Sequence, residues 1–194
     1  MTRIELVAIG ASWGGLNAIK RVLEPLPVGF GAAVVIAQHR KAGADGRLAE
    51  LLGAHCALVV AEAEDKQTLD PGIVLLAPPD YHLLVEGGSV ALSVDERVHY
   101  SRPSIDVLLQ SAADAYGDRA VGVVLTGANA DGARGLARIA ARGGTAIVQD
   151  PETAVRREMP DAALAQTPAA QVLALDRIGS LLVDLVGTRE GARP

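Results

Sequence analysis

Three residues of this chain could share the work of acyl transfer: Ser12, His39 and Asp131. A serine hydroxyl is a poor nucleophile at neutral pH. It needs a neutral imidazole to take its proton and a carboxylate to hold that imidazole in one tautomer. Such sets are defined by geometry and not by sequence order, so the order Ser, His, Asp is admissible. The developing oxyanion needs preformed N–H donors. The turn after Ser12 and the backbone around Ala128 are the available sources. No Cys, His and Asp cluster has metal-ligand spacing, so a metal hydrolase is disfavoured and no cofactor is expected.

For these residues to meet, each must be carried to one rim of a common sheet. Ser12 lies in the stretch 7–15, where an apolar run ends in a turn of small residues and a helical pattern follows. That is strand, tight turn, helix. The helix would point free N–H groups at the spot, and Gly14 and Gly15 would let backbone or ligand approach closely. A phosphate cradle is the second reading of this turn. It expects an acid near the end of the next strand, to hold ribose hydroxyls. The apolar run 32–37 ends instead in Gln38-His39-Arg40, which argues against a nucleotide. The run 120–125 leads through the Gly-rich turn 126–133 into another helix, and so brings Asp131 to the same rim. As a plain helix cap Asp131 would have a structural role only.

The remaining pattern alternates short apolar runs with helical ones. Strands are expected at 57–60, 145–148 and, as an edge, 172–175. Helices are expected at 48–52 with Asp45 as cap, at 105–116, up to 141, at 162–165, and at 178–186 with Asp176 as cap. Ser104 or Pro103 can start the helix at 105, and Asp106 reads as a partner of its dipole. Tight turns between about 73 and 94 predict an inserted antiparallel hairpin, with His82 as a packed or edge histidine. Arg102 is a candidate contact for an anion or carboxylate. The fold expected is doubly wound α/β: one mostly parallel sheet, helices on both faces, and the hairpin. A single domain is expected over 1–194, with a frayed tail from about 188.

Composition bounds the partners. The chain has 194 residues, 49% hydrophobic and only 3% aromatic, with a formal charge of −5. Mean hydropathy is +0.26. A core of Ala, Val, Leu and Ile is therefore available. The acidic balance disfavours a non-specific grip on nucleic acid. No apolar run reaches spanning length, so no membrane insertion is expected. The lone Cys56 offers no disulfide, which fits a cytoplasmic setting.

Several separated motifs occur in one order: Gly10-Ala11-Ser12-Trp13-Gly14-Gly15, Gln38-His39, Leu76-Ala77-Pro78 with His82-Leu83-Leu84-Val85, Arg102-Pro103-Ser104-Ile105-Asp106, Thr126-Gly127 with Asp131-Gly132, and Asp150-Pro151-Glu152-Thr153-Ala154 with Met159-Pro160. Together they resemble the catalytic domain of the CheB-type chemotaxis methylesterases, from about Val7 to Leu175. The resemblance implies hydrolysis of glutamate γ-methyl esters on the cytoplasmic helices of chemoreceptors, and glutamine deamidation in some members. It implies Ser12 as nucleophile, His39 as base and Asp131 as the residue orienting it. Trp13, Ala128 and Arg102 fall around the oxyanion and substrate pocket. Trp13 stands where the family has a small polar residue, Ala128 where it usually has Met, and Arg40 where an apolar residue is common. The family's receiver domain has no counterpart ahead of the strand at Ile4. Activity is therefore expected to be independent of phosphorylation of this chain, or controlled by a separate regulatory protein. The competing expectation is a catalytically weak partner-binding domain that keeps the fold.

Overall fold

Alternate side chains of the first strand feed opposite layers of the molecule. In β1 (Leu6–Ala11), Leu6 and Ala8 join one apolar cluster, and Val7, Ile9 and Ala11 join the other. Every β1 residue is buried, as a strand covered on both faces requires. The computed structural model describes residues 2–40, 43 and 47–188. Asp45 and the tail beyond 188 lie outside the described residues.

Six further strands of the main sheet are β2 (Ala33–Gln38), β3 (Val59–Glu62), β4 (Ile73–Leu76), β7 (Ala120–Val124), β8 (Thr145–Gln149) and β9 (Gln171–Leu173). Two more, β5 (His82–Val85) and β6 (Val90–Ser93), form a separate antiparallel pair. The main sheet runs in the order β3-β4-β2-β1-β7-β8-β9, with every pairing parallel. The helices are α1 (Gly15–Leu23), α2 (Arg47–Gly53), α3 (Ile105–Tyr116), α4 (Ala133–Ala141), α5 (Glu158–Gln166) and α6 (Leu175–Val186). Side chains of α1, α2 and α6 pack on one face of the sheet. Those of α3, α4, α5 and the hairpin pack on the other. The doubly wound expectation holds.

Three local expectations change. The strand at 73–76 is not part of a hairpin: β4 lies between β3 and β2, and only 82–93 turns back on itself. Its fully apolar residues suit a strand covered on both faces, which short apolar runs cannot distinguish from a hairpin arm. Asp176 does not cap α6. The helix starts at Leu175 behind Ala174, and Asp176 pairs instead with Arg21. Asp131 does not cap its own helix either, because the cap of α4 is Gly132 in a left-handed conformation. At the C-terminal end of the described chain, Thr188 is bridged to Phe30.

The chain winds outward from β1 in both directions, toward β2 on one side and toward β7 on the other. The crevice between β1 and β7 is thus the switch point at which open α/β sheets place their ligands. The first turn of α3 closes down on that crevice. A Cβ on Gly10 would overlap the Ile105 side chain, and one on Gly132 would lie 2.6 Å from Ile105 Cγ2. Glycine at both positions lets Ile105 wedge between the strand that carries Ser12 and the loop that carries Asp131.

Candidate active site

Ser12 is fixed by its backbone before its side chain does anything. Its N–H donates to the Thr126 carbonyl at 2.9 Å, and its carbonyl accepts from Gly15 at 2.8 Å. The turn then needs Gly14 at φ +79°, where a non-glycine residue would be strained. Thr126 stitches the neighbouring segments together. Its hydroxyl donates to the Trp13 carbonyl at 2.9 Å and accepts from the Arg156 N–H at 2.9 Å. Gly127 lies flat against the serine: a Cβ there would come within 2.9 Å of Ser12 Cβ.

His39 continues the parallel ladder one residue beyond β2, donating its N–H to the Ala11 carbonyl at 3.1 Å. That places its ring between the other two groups. His39 Nδ1 lies 3.1 Å from Ser12 Oγ, and His39 Nε2 lies 2.7 Å from Asp131 Oδ2. The carboxylate can only accept, so Nε2 carries a proton and the Nδ1 lone pair faces the serine hydroxyl. This is the tautomer a general base requires.

Asp131 is fully buried and held by the start of α3. Its Oδ1 accepts from the Ser104 hydroxyl and the Asp106 N–H, both at 2.9 Å. Its Oδ2 accepts from the Ile105 N–H at 2.8 Å and from His39. Burial alone would raise its pKa. The His39 hydrogen bond and the Asp106 and Ile105 amides outweigh that, and hold the carboxyl below its ordinary value. Asp131 is therefore an anion at neutral pH.

Asp106 is the residue that sequence reasoning underrated. Its side chain is buried and crosses to α4, where Oδ1 accepts from Gly132 at 3.0 Å and Gly135 at 2.8 Å. Oδ2 pairs with Arg134 at 3.0 Å and His99 at 3.3 Å. The signals available were an acid in the first turn of one helix, Asp-Gly opening the next, and its place in the motif Arg102-Pro103-Ser104-Ile105-Asp106. Among the described residues, His99, Asp106 and Asp131 are the one group close enough to share a metal. Three of the four carboxylate oxygens each accept two hydrogen bonds and Asp106 Oδ2 accepts one from Arg134, so a cation would have to displace donors.

The mouth of the site is built from other segments. Trp13 is 61% exposed. Its ring centroid lies 5.5 Å from the Arg156 guanidinium carbon, a cation–π contact. Val155 packs on Gly14, and Ala128 is exposed. The Trp13 and Ala128 N–H groups have no acceptor among the described residues. Arg102 is occupied with fastening. It bonds Asp80 and the carbonyls of Val94 and Asp95, and so ties the end of the hairpin to the turn before Ser104. Arg40 Nη2 donates to Glu62 Oε1 at 2.8 Å and to the Ala77 carbonyl at 2.7 Å, and its buried Nε and Nη1 have no partner among the described residues. His82 is buried with both ring nitrogens spent, accepting from the Ser104 N–H and donating to the Glu96 carbonyl.

Residues 7–182 match the family model of the CheB methylesterase. The chain belongs to that family. A Leptospira interrogans protein, named among the protein-glutamate methylesterases/protein-glutamine glutaminases, is 46% identical over 93% of this chain and 94% of its own length. The protein-glutamate methylesterase FrzG of Myxococcus xanthus is 43% identical over 93% of this chain, which spans 54% of it. The catalytic domain of the Thermotoga maritima CheB methylesterase superposes with a TM-score of 0.89 at 34% identity, over 95% of this chain and all of that one. These relatives are named as methylesterases, and methylesterases are carboxylic ester hydrolases. No helix among the described residues is long and apolar enough to cross a membrane.

The lowered Asp131 pKa fixes the sign of one pH effect. A carboxyl whose folded pKa lies below its unfolded value stabilises the fold above that unfolded value, and the contribution is lost as pH falls through the folded one. Urea melts of wild type and Asp131→Asn should therefore show a gap in midpoint at pH 6 that narrows below about pH 4. A gap that widens on acidification would contradict this assignment.

Proposed function

We propose that this chain is a protein-glutamate methylesterase whose Ser12, His39 and Asp131 act as one catalytic unit. The observation that carries the reading is the hydrogen-bonded line from Ser12 Oγ through His39 to Asp131 at the switch-point crevice. In the reaction, His39 Nδ1 takes the proton as Ser12 Oγ attacks the γ-carbonyl of a glutamate methyl ester. The resulting oxyanion faces the uncommitted N–H groups of Trp13 and Ala128. His39 returns its proton to the leaving oxygen, methanol departs, and a glutamyl-serine ester remains. His39 then deprotonates a water that attacks this ester, which releases the glutamate carboxylate and restores Ser12. Asp131 stays ionised throughout and stabilises the imidazolium between the two half-reactions. Attack on a glutamine amide would follow the same course with ammonia leaving.

The substrate in this reading is a set of methylated cytoplasmic helices of chemoreceptors, and the setting is cytoplasmic. The chain acts without nucleic acid, membrane insertion or a bound metal. A partner-binding domain without catalysis is the second reading, but it gives no reason for an ionised buried carboxylate aligned on a serine through one imidazole.

Methanol release from methyl-labelled receptor membranes tests the unit. Ser12→Ala and His39→Ala should each cost at least about 10⁴-fold in kcat/KM, with the double variant costing little more. Asp131→Ala should cost less than either. Losses that multiply would show that the residues do not act together.

Trp13 and Ala128 form a second pair of interest. Trp13 carries bulk where the family is small, and Ala128 is small where the family is large. In this reading, apolar bulk has moved from one wall of the pocket to the other. Trp13→Thr alone should then raise KM, and adding Ala128→Met should recover part of the loss. The coupling should exceed the additivity error of about 0.5 kcal/mol. Effects that simply add would separate the two residues.

A further inference from the structure

Asp106 makes no hydrogen bond to Ser12 or His39, yet it is built into the same knot. The Asp106 N–H donates to Asp131 Oδ1, and Asp106 Oδ1 accepts from the N–H of Gly132, the next residue after Asp131. The two hydrogen bonds close a ring through the backbones of both residues. Such a ring constrains the Asp131–Gly132 peptide plane and, through it, the direction of the Asp131 side chain. Gly135, one turn further, gives Asp106 Oδ1 its second donor at 2.8 Å. The two helices meet closely there, since a Cβ on Gly135 would come within 2.6 Å of Leu109 Cβ.

We propose that Asp106 is a positioning residue for the Asp131–His39 pair, one that holds the Asp131 loop in place by gripping the amides of Gly132 and Gly135. The proposal rests on the serine-esterase reading above. The chemistry demands an aspartate. An asparagine offers one acceptor oxygen and turns its amide N–H₂ toward Arg134 and His99, which are themselves donors. A glutamate moves the carboxylate by one methylene and breaks the ring. Misplacement of a reacting group by about 1 Å costs on the order of 100-fold in rate. A simple fastening role is separable, because Asp114 on the same helix also bridges to α4, through Arg138 and Arg142 at the exposed end.

The test compares wild type, Ser12→Ala, Asp106→Asn, Asp106→Glu and Asp114→Asn on methyl-labelled receptor membranes. Both Asp106 variants should lose roughly 10- to 100-fold in kcat, with KM held within about twofold. Asp114→Asn should stay near wild type in both. The imidazole Nε2–H resonance of His39, read by proton NMR, should lie far downfield in wild type and Asp114→Asn. It should shift or broaden away in the Asp106 variants, whose circular dichroism stays unchanged. An active Ser12→Ala would remove the esterase reading itself. An inactive Ser12→Ala together with wild-type kcat and an unmoved His39 resonance in Asp106→Asn would overturn the positioning role alone. Equal losses in the Asp106 and Asp114 variants would also overturn it. Should the Asp106 variants not fold, hydrogen exchange in the wild type decides. The Gly132 and Gly135 amides should open only together with those of Ile105 and Asp106, in the global transition. Early local opening of the two glycines would contradict the proposal.

Discussion

Two buried carboxylates exchange helix N-termini, and the site depends on that exchange. Asp131, from the loop before α4, takes the first free amides of α3; Asp106, from the first turn of α3, takes the first free amides of α4. A helix start leaves several N–H groups without partners, and a buried anion is costly without donors. Each problem resolves the other. Each carboxylate also has a cation or an imidazole on its outer side, Arg134 and His99 for Asp106 and His39 for Asp131. Removal of one member of such a set leaves an uncompensated charge, at a cost of about 3–5 kcal/mol. The loop geometry is thereby fixed without substrate.

The rest of the site is built outward from this knot. Ile105 wedges between Gly10 and Gly132, so the α3 start also registers the β1 strand that leads into Ser12. The parallel ladder carries His39 up beside Ala11, and its ring lies between Ser12 Oγ and Asp131 Oδ2. Thr126 joins the serine turn to the loop around Arg156. The hydrogen-bonded line from Ser12 to Asp131 thus rests on backbone and buried groups. Trp13, Val155, Arg156 and Ala128, by contrast, are solvent-facing.

Much of this was legible in the sequence. Strand–turn–helix at Ser12 and again at Asp131 is a local pattern, and two such turns on one parallel sheet must share a rim. Gln38-His39 at the end of the next strand completed the candidate set, and the resemblance then implied a role for each member. Local patterns failed where long-range pairing decides. Residues 73–76 look the same as a hairpin arm or as an inner parallel strand, and only their neighbours β2 and β3 tell the difference. Asp131 and Asp176 look like caps of the helices that follow them, yet one caps a helix distant in sequence and the other pairs with Arg21. Asp106 was readable as an acid in a first turn, but its target, the amides of Gly132 and Gly135, depends on two helices meeting.

The central claim is that Ser12 is a nucleophile made reactive by His39 in this preformed frame. A reactive organophosphonate ester tests that most directly, because it bonds to an activated serine and releases its leaving group without any receptor substrate. Peptide mass analysis after labelling should find the adduct on Ser12 alone, and His39→Ala should slow its formation by orders of magnitude. An adduct elsewhere, or labelling of Ser12 at the same rate with and without the imidazole, would contradict the account.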